Sequence, residues 1–501
     1  MTISLNSSTS NRLGYRVKLP FVCQAFIYAV VSVASIYSIY FNYLARCAHV
    51  IDFSSFLISA SFPLLILLLA VVVFAVSNVH NEPSRIFLLI SIPAVTALSM
   101  FILPGHVPDE AAHIAQVAGL FSRSPDGFYI PLALSGESLP QTYEQFYIQL
   151  ISEPNWHNLI FTRQYLSTYL PHLYIIPALA LKLGELFSLN ELLALIVARL
   201  AHGLFFSLVG YYFTKLIPFG RTAFVVFLLN PMLLQQAASC SADAISNIAI
   251  IGFIVILLRA NAMSAINPQD IVLVLVTAFI MVISKFLYAP FLLLLLLFVK
   301  RLKSSLARLG TYLITILLLI IVSIYMVFYY RGSFMHMSFE LLRDPLEFIA
   351  VYVKSIWELA PFWIQSYAGG TLGALSIGVW QPCYWSYIVI QICVLFYNDD
   401  HDSEAIKLSC SDRLIMCITA LINFSCILLS MREWSVTVDG RADIIMGVQG
   451  RYLFPIVLMP LLSMLRFNTE KPAPHHVLYT VSAILAAILC LDMYSIIQFF
   501  N

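Results

Sequence analysis

The stretch Ile271-Val-Leu-Val-Leu-Val-Thr-Ala-Phe-Ile-Met-Val-Ile-Ser-Lys285-Phe-Leu-Tyr-Ala-Pro-Phe291-Leu-Leu-Leu-Leu-Leu-Leu-Phe-Val-Lys300 decides the class of this protein. Between Ile271 and Val299 it carries a single charge, Lys285. Apolar blocks this solid read as membrane helices, whereas an outer-membrane barrel would alternate apolar and polar positions. The whole chain agrees. Of its 501 residues 60% are hydrophobic and 11% charged, with a mean hydropathy of +0.88. Soluble domains carry roughly a quarter charged residues, so a soluble chain of this length would lack the charge to cover its surface. The net charge of +1 gives no sign of a nucleic-acid partner. The nine cysteines are scattered without a C-x-x-C pair. That pattern argues against a zinc site and leaves open one disulfide between two of Cys47, Cys240 and Cys383. The expected fold is an all-α polytopic membrane protein.

Working outward, Arg12, Arg16 and Lys18 precede an apolar span near 21–44, which is too long for a signal peptide and reads as an uncleaved first helix. Further spans are expected near 53–76, 85–103, 191–214, 222–237, 244–259, 270–284, 287–299, 309–329, 378–397, 413–431, 452–465 and 477–500. That makes about thirteen helices. Segment 169–187 is apolar but holds Pro171, Pro177, Lys182 and Glu185. Were it to cross, Lys215, Arg221, Arg259, Lys300, Arg301 and Lys303 would fall outside, so it is assigned to the outer interface as a juxtamembrane helix. The division is an N-terminal pair (1–84), a core (85–465) and a C-terminal helix (466–501). Outer loops cover 104–190, 330–377 and 432–450. The chain is thus expected to be multi-pass in a membrane, with its N-terminus on the cytoplasmic side. The cytoplasmic loop near 398–411 is acidic and offers no nucleotide-binding motif.

Chemistry gathers at four outer-face positions. Pro108-Asp109-Glu110-Ala111-Ala112-His113 reads as a helix start, proline first and acids in the opening turn. On one helix face, Asp109 and Glu110 would neighbour His113, a set able to act as general base or metal ligand. Asp243 follows Ser241-Ala242 and alone would be read as a plain N-cap. Lys285 sits between two apolar runs, where lysine costs roughly 3 kcal/mol unless it snorkels or meets an anion. Arg451, in Gly447-Val448-Gln449-Gly450-Arg451-Tyr452, opens the penultimate span and suits bidentate phosphate binding. An acid near a hydroxyl and cations near a phosphate are the parts needed to displace a lipid-phosphate leaving group.

These motifs, in order, resemble a bacterial family of predicted membrane proteins of unknown function, which is itself similar to the GT-C clan of polyprenyl-phosphate-dependent glycosyltransferases. The resemblance rests on Pro108-Asp109-Glu110-x-x-His113, Tyr169-x-Pro171-x-x-Tyr174, Ser241-x-Asp243, Lys285-x-x-Tyr288 and Gly447-x-Gln449-Gly450-Arg451-Tyr452. It implies a GT-C-like helical bundle that transfers a sugar from a polyprenyl-phosphate donor to a glycan or lipid acceptor. It also implies a bacterial inner (cytoplasmic) membrane with the active face outward and membrane lipid around the site. The resemblance implies Asp109 as the leading base or metal ligand, with Glu110 second and His113 beside them. It also implies Lys285 and Arg451 on the donor phosphate, and Asp243, Tyr288, Gln449 and Tyr452 on the substrate. No cofactor is fixed by the sequence. A divalent metal, if used, would take Asp109 and Glu110. The alternative that stays open is a flippase or exporter of a lipid-linked saccharide, using the same cations without catalysis.

Overall fold

The computed structural model describes residues 21–59, 61, 82–122, 126–162, 169–263, 265–329, 343–396, 408–465 and 476–501. Among the described residues the chain is mostly helical, with two short two-stranded sheets, as fits a polytopic all-α membrane protein. Helices α1 (Phe21–Cys47) and α2 (Pro83–Phe101) lead into the short α3 (Glu110–Ala118) and α4 (Tyr143–Leu150). Strands β1 (Phe128–Pro131) and β2 (Leu159–Thr162) flank α4 and pair antiparallel, Phe128 opposite Thr162. Next come α5 (Ile175–Leu186), α6 (Glu191–Leu216), α7 (Arg221–Leu228), α8 (Pro231–Ala237), α9 (Ala242–Ala262) and α10 (Pro268–Ser284). The series continues with α11 (Leu295–Val299), α12 (Ser305–Tyr329) and α13 (Pro345–Tyr367). After β3 (Thr371–Leu372) and β4 (Ile377–Gly378) it closes with α14 (Gln381–Cys393), α15 (Cys410–Thr437), α16 (Phe454–Met464) and α17 (His476–Phe500).

Among the described residues six helices are long and apolar enough to cross a membrane: α1, α2, α6, α9, α15 and α17. Shorter apolar stretches lie between them, at 268–284, 286–299, 305–321, 381–396 and 450–464. Most of the span expected near 53–76, the basic flank at 12–18 and most of the loop at 398–411 lie outside the described residues. Helix α5 rises about 18 Å, short of the roughly 30 Å hydrocarbon core.

The core begins where α2 packs along α6. Gly203 and Gly210 lie two turns apart on α6, and a Cβ on either would sit 2.8 Å from Val95 or 2.6 Å from Phe87. Small residues let the two backbones approach closely, the usual basis of helix association in lipid.

Two expected spans are broken. The run 222–237 is interrupted at Asn230-Pro231, giving α7 and α8 of 8 and 7 residues. Proline at the first position of α8 has no N–H to donate and pushes Asn230 out of helical geometry. Asn230 then caps α8 by accepting from Leu233 N, while its Nδ2 donates to the Tyr367 carbonyl at 2.9 Å. The run 287–299 opens instead as a 3-10 segment, Phe286–Leu294, containing Pro290, before the 5-residue α11. The segment 330–377, expected as an outer loop, contains a 23-residue helix, α13, that its charges concealed. All nine cysteines are free thiols, so no disulfide joins Cys47, Cys240 and Cys383.

Candidate functional site

The site forms where four chain breaks meet. Asp109 is not inside a helix: it adopts φ +61°, the left-handed conformation, and α3 starts at Glu110. The expectation that Pro108 and Asp109 lie in a first turn, with Asp109 on the His113 face, is therefore corrected. A left-handed residue turns its side chain out of the helical register. Ser241 is the cap of α9, accepting from Asp243 N at 3.2 Å, so Asp243 is not the plain N-cap of the sequence reading. Its carboxylate is left for other partners. Lys285 ends α10 in extended backbone. Arg451 lies in the 3-10 turn Gly450–Leu453 that precedes α16.

Gly450 explains why this turn sits where it does. A Cβ there would lie 2.0 Å from the Tyr367 backbone nitrogen, so only glycine fits against the end of α13. Its N–H donates to Ser366 Oγ at 2.9 Å.

Lys285 Nζ donates to Asp243 Oδ1 at 2.7 Å, with both side chains nearly buried. Arg451 Nη1 is 3.4 Å from Asp243 Oδ2 and donates to the Pro108 carbonyl at 3.1 Å. Arg451 Nη2 donates to Asp109 Oδ2 at 2.5 Å and to the Tyr452 hydroxyl at 3.1 Å. Two carboxylates thus meet two cations. Three of the four side chains are buried, whereas Asp109 is 65% exposed. Three tyrosine rings surround the Lys285 ammonium, Tyr452 at 4.8 Å, Tyr288 at 5.6 Å and Tyr169 at 5.9 Å. The Tyr288 hydroxyl donates to the Tyr452 carbonyl at 2.8 Å, tying the two motif loops together. Satisfaction is incomplete: Asp243 Oδ2, Arg451 Nε and Gln449 Oε1 are buried without a hydrogen-bond partner. Such orphans mark a place for a polar ligand.

His113 borders the cluster without bonding to Asp109. Its Nδ1 lies 2.9 Å from the Tyr174 hydroxyl, and its ring packs by Tyr169 and Tyr174. Burial pushes its pKa down to about 4, keeping the ring neutral at neutral pH. Burial raises the Tyr169 phenol well above its ordinary value.

Glu110 belongs elsewhere. It is fully buried, accepting from Gly105 N at 3.0 Å and Cys240 N at 3.2 Å. Arg199 Nε pairs with it at 3.1 Å, off the line of a hydrogen bond, and Arg199 Nη1 donates to the Ile102 carbonyl at 2.6 Å. This sealed pair fastens α3 and the chain before α9 to α6. Glu110 is therefore corrected from base or metal ligand to a structural anchor. Sealed on Arg199 and two backbone N–H groups, Glu110 does not join Asp109 in the pair expected to hold a divalent metal. Among the described residues no group of three His, Cys, Asp or Glu side chains could hold one.

Of the residues that the sequence singles out, the structure brings Asp109, Asp243, Lys285, Tyr288, Arg451 and Tyr452 together, with Gln449 two residues before Arg451. Their neighbours are ones the sequence reading leaves unmarked. His172 Nε2 lies 3.2 Å from Ser284 Oγ, and Ser246 Oγ donates to the Ser284 carbonyl at 3.3 Å, bracing the Lys285 turn. Asn247 lies one turn beyond Asp243 on α9, buried with its Nδ2 unpartnered. Its spacing from Asp243 was the available signal. Arg199, inside an apolar run, should have announced a partner.

The family described as Predicted membrane protein (DUF2142) matches residues 152–459. That is more than half of the chain, and the protein belongs to this family. Asp243, Lys285 and Arg451 fall inside the matched stretch and Asp109 before it. No curated protein and no solved structure matches the chain.

Proposed function

We propose that this DUF2142 member is a membrane glycosyltransferase of the inverting, GT-C-like kind. It takes a sugar from a polyprenyl-phosphate donor and passes it to a glycan or lipid acceptor on the non-cytoplasmic face of a bacterial inner membrane. The observation that carries the reading is the sharing of Arg451 between Asp109, open to solvent, and Asp243, buried and already held by Lys285.

The cluster is neutral as it stands, so a lipid phosphate entering it brings excess negative charge. The weakest tie is the exposed one, because solvent screens the Asp109 pair while the Asp243 pairs are sealed. The phosphate replaces Asp109 on Arg451 and leaves Asp109 free as a base. Asp109 then takes the proton of the acceptor hydroxyl as its oxygen attacks the anomeric carbon. The bond from that carbon to the phosphate oxygen breaks, and its electron pair stays on the phosphate. Lys285 and Arg451 face the growing charge. The orphaned Gln449 Oε1 and Asp243 Oδ2 are acceptors for sugar hydroxyls.

The test is transfer by the purified chain in proteoliposomes from labelled polyprenyl-phosphate sugars to water-soluble glycan or lipid acceptors. Labelled acceptor with free polyprenyl phosphate is expected. Movement of intact donor across the bilayer, with no bond broken for any sugar, would overturn the reading in favour of a flippase.

A further inference from the structure

Helix α13 has three faces. At 100° per residue, Leu346, Ile349, Val353, Trp357 and Ile364 fall on one stripe, all exposed, Trp357 to 84%. Val351, Ser355, Trp363 and Ser366 form a second stripe buried against the protein. Glu347, Lys354 and Glu358 form a third between them, and Lys354 Nζ donates to Asp443 at 2.8 Å.

Two contacts give the direction of the helix. The Tyr352 hydroxyl lies 2.8 Å from Ser425 Oγ, and the Trp363 ring packs 5.6 Å from that of Phe424. Positions about 16 Å apart along α13 therefore meet adjacent residues of α15. A helix running beside α15 would meet residues equally far apart, so α13 crosses it steeply. If α15, one of the six helices long and apolar enough to cross a membrane, does cross it, α13 lies close to the membrane plane. The level follows too. No charge lies between Leu414 and Met431 of α15, and Ser425 stands about 10 Å of helix rise short of Arg432. Amphipathic interfacial helices seat their apolar face about 5–10 Å into the headgroup boundary. A crossing orientation would instead carry the charged stripe through hydrocarbon, where each central charge is costly.

We propose that α13 is an in-plane helix whose exposed stripe is immersed in the hydrocarbon of bilayer lipid, with Glu347, Lys354 and Glu358 at headgroup level. The groove between Trp357, Pro361 and Ile364 and the rings of Tyr384 and Trp385 on α14 takes a lipid chain. Because the end of α13 holds Gly450, the helix sets Arg451 at headgroup depth. On the reading of the site given above, a lipid phosphate reaches Arg451 without leaving its bilayer.

The test places a spin-labelled unnatural amino acid singly at positions 346, 353, 357 and 364, leaving the nine native thiols untouched. The full chain is reconstituted in phosphatidylcholine vesicles, and depth is read from collisions with oxygen against a water-soluble nickel chelate. Four oxygen-rich labels within about 5 Å of one depth are expected. A steady change approaching about 27 Å between 346 and 364 would make α13 a span and overturn the proposal. Labels open to nickel would place the stripe in water, and labels closed to both would place it under protein; either also overturns it. No turnover is needed, so a negative result here is separate from failure of the glycosyltransferase reading.

Discussion

Arg451 Nη2 and Asp109 Oδ2 are 2.5 Å apart, yet the arginine side chain is 3% exposed and the aspartate 65%. The pair straddles the rim of the site. Its inner member is held by Asp243, Tyr452 and the Pro108 carbonyl, while its outer member has no cap bond to its own helix. On the proposed reading, Asp109 is the one of the two that an incoming anion would displace.

Asp109→Asn keeps the shape, removes the proton acceptor and weakens the competitor for Arg451. Turnover should fall by roughly 10²-fold or more, while apparent donor affinity holds or tightens. Initial rates against donor concentration separate the two. Unchanged turnover at equal expression removes Asp109 as the base, and weakened donor affinity refutes the exchange on Arg451.

Asp243 answers to both buried cations. Asp243→Asn strands Lys285 among three tyrosines, and breaking a buried pair from one side costs about 3–5 kcal/mol. A clear drop in thermal midpoint in detergent is expected, larger than for Asp109→Asn, whose pair is screened. Equal midpoints for the two variants would contradict the burial argument.

His113 gives the pH dependence. Its pKa is about 4 in the fold against 6.5 in its ordinary state, because burial disfavours the charged ring. Between those values the unfolded chain binds more protons, so stability falls as pH drops from 6.5 toward 4, by up to about 3 kcal/mol. His113→Gln should flatten that limb of the midpoint-against-pH curve. An unchanged slope would show that other groups set it.

Gly450→Ala probes the backbone contact that aims Arg451. The added Cβ meets the Tyr367 nitrogen at 2.0 Å, a backbone atom that cannot swing aside. Either the turn or the end of α13 must shift. Loss of folded yield or of transfer is expected, whereas Gly378→Ala, with open space at its Cβ, should be silent.

Much of this was legible in sequence, and the reasons differ by element. The long spans α2, α6 and α9 announce themselves because solid apolar runs have no other stable home. Lys285 and Arg451 stood out because charge beside such runs demands a partner. Asp243 stood out too, as an N-cap and a substrate contact, but that both cations share it was not legible, since no local spacing links positions on α9, the end of α10 and the turn before α16. Glu110 was misread because adjacency to Asp109 suggested a shared task, whereas the left-handed Asp109 sends the two carboxylates to different partners. Helix α13 was read as a loop because its charges spoil the hydropathy of a span, although its three-stripe pattern was present all along.

The last prediction separates enzyme from carrier through the two cations. Arg451 makes directional bonds from both terminal nitrogens, and lysine cannot reproduce that fork. If Arg451 and Lys285 only hold the donor, Arg451→Lys and Lys285→Ala weaken ground state and transition state alike. Apparent affinity then falls and the rate at saturation is kept. If they receive a leaving phosphate, the charge they face grows as the glycosidic bond breaks, and the rate itself falls. Lys285→Ala also leaves Asp243 with Arg451 alone, so its thermal midpoint must be measured beside its kinetics. Saturating rates reduced by roughly 10²-fold or more in folded Arg451→Lys protein are expected, the size found for losing one preorganised donor. Full saturating rates with only weakened affinity would mean uniform binding and return the site to a carrier.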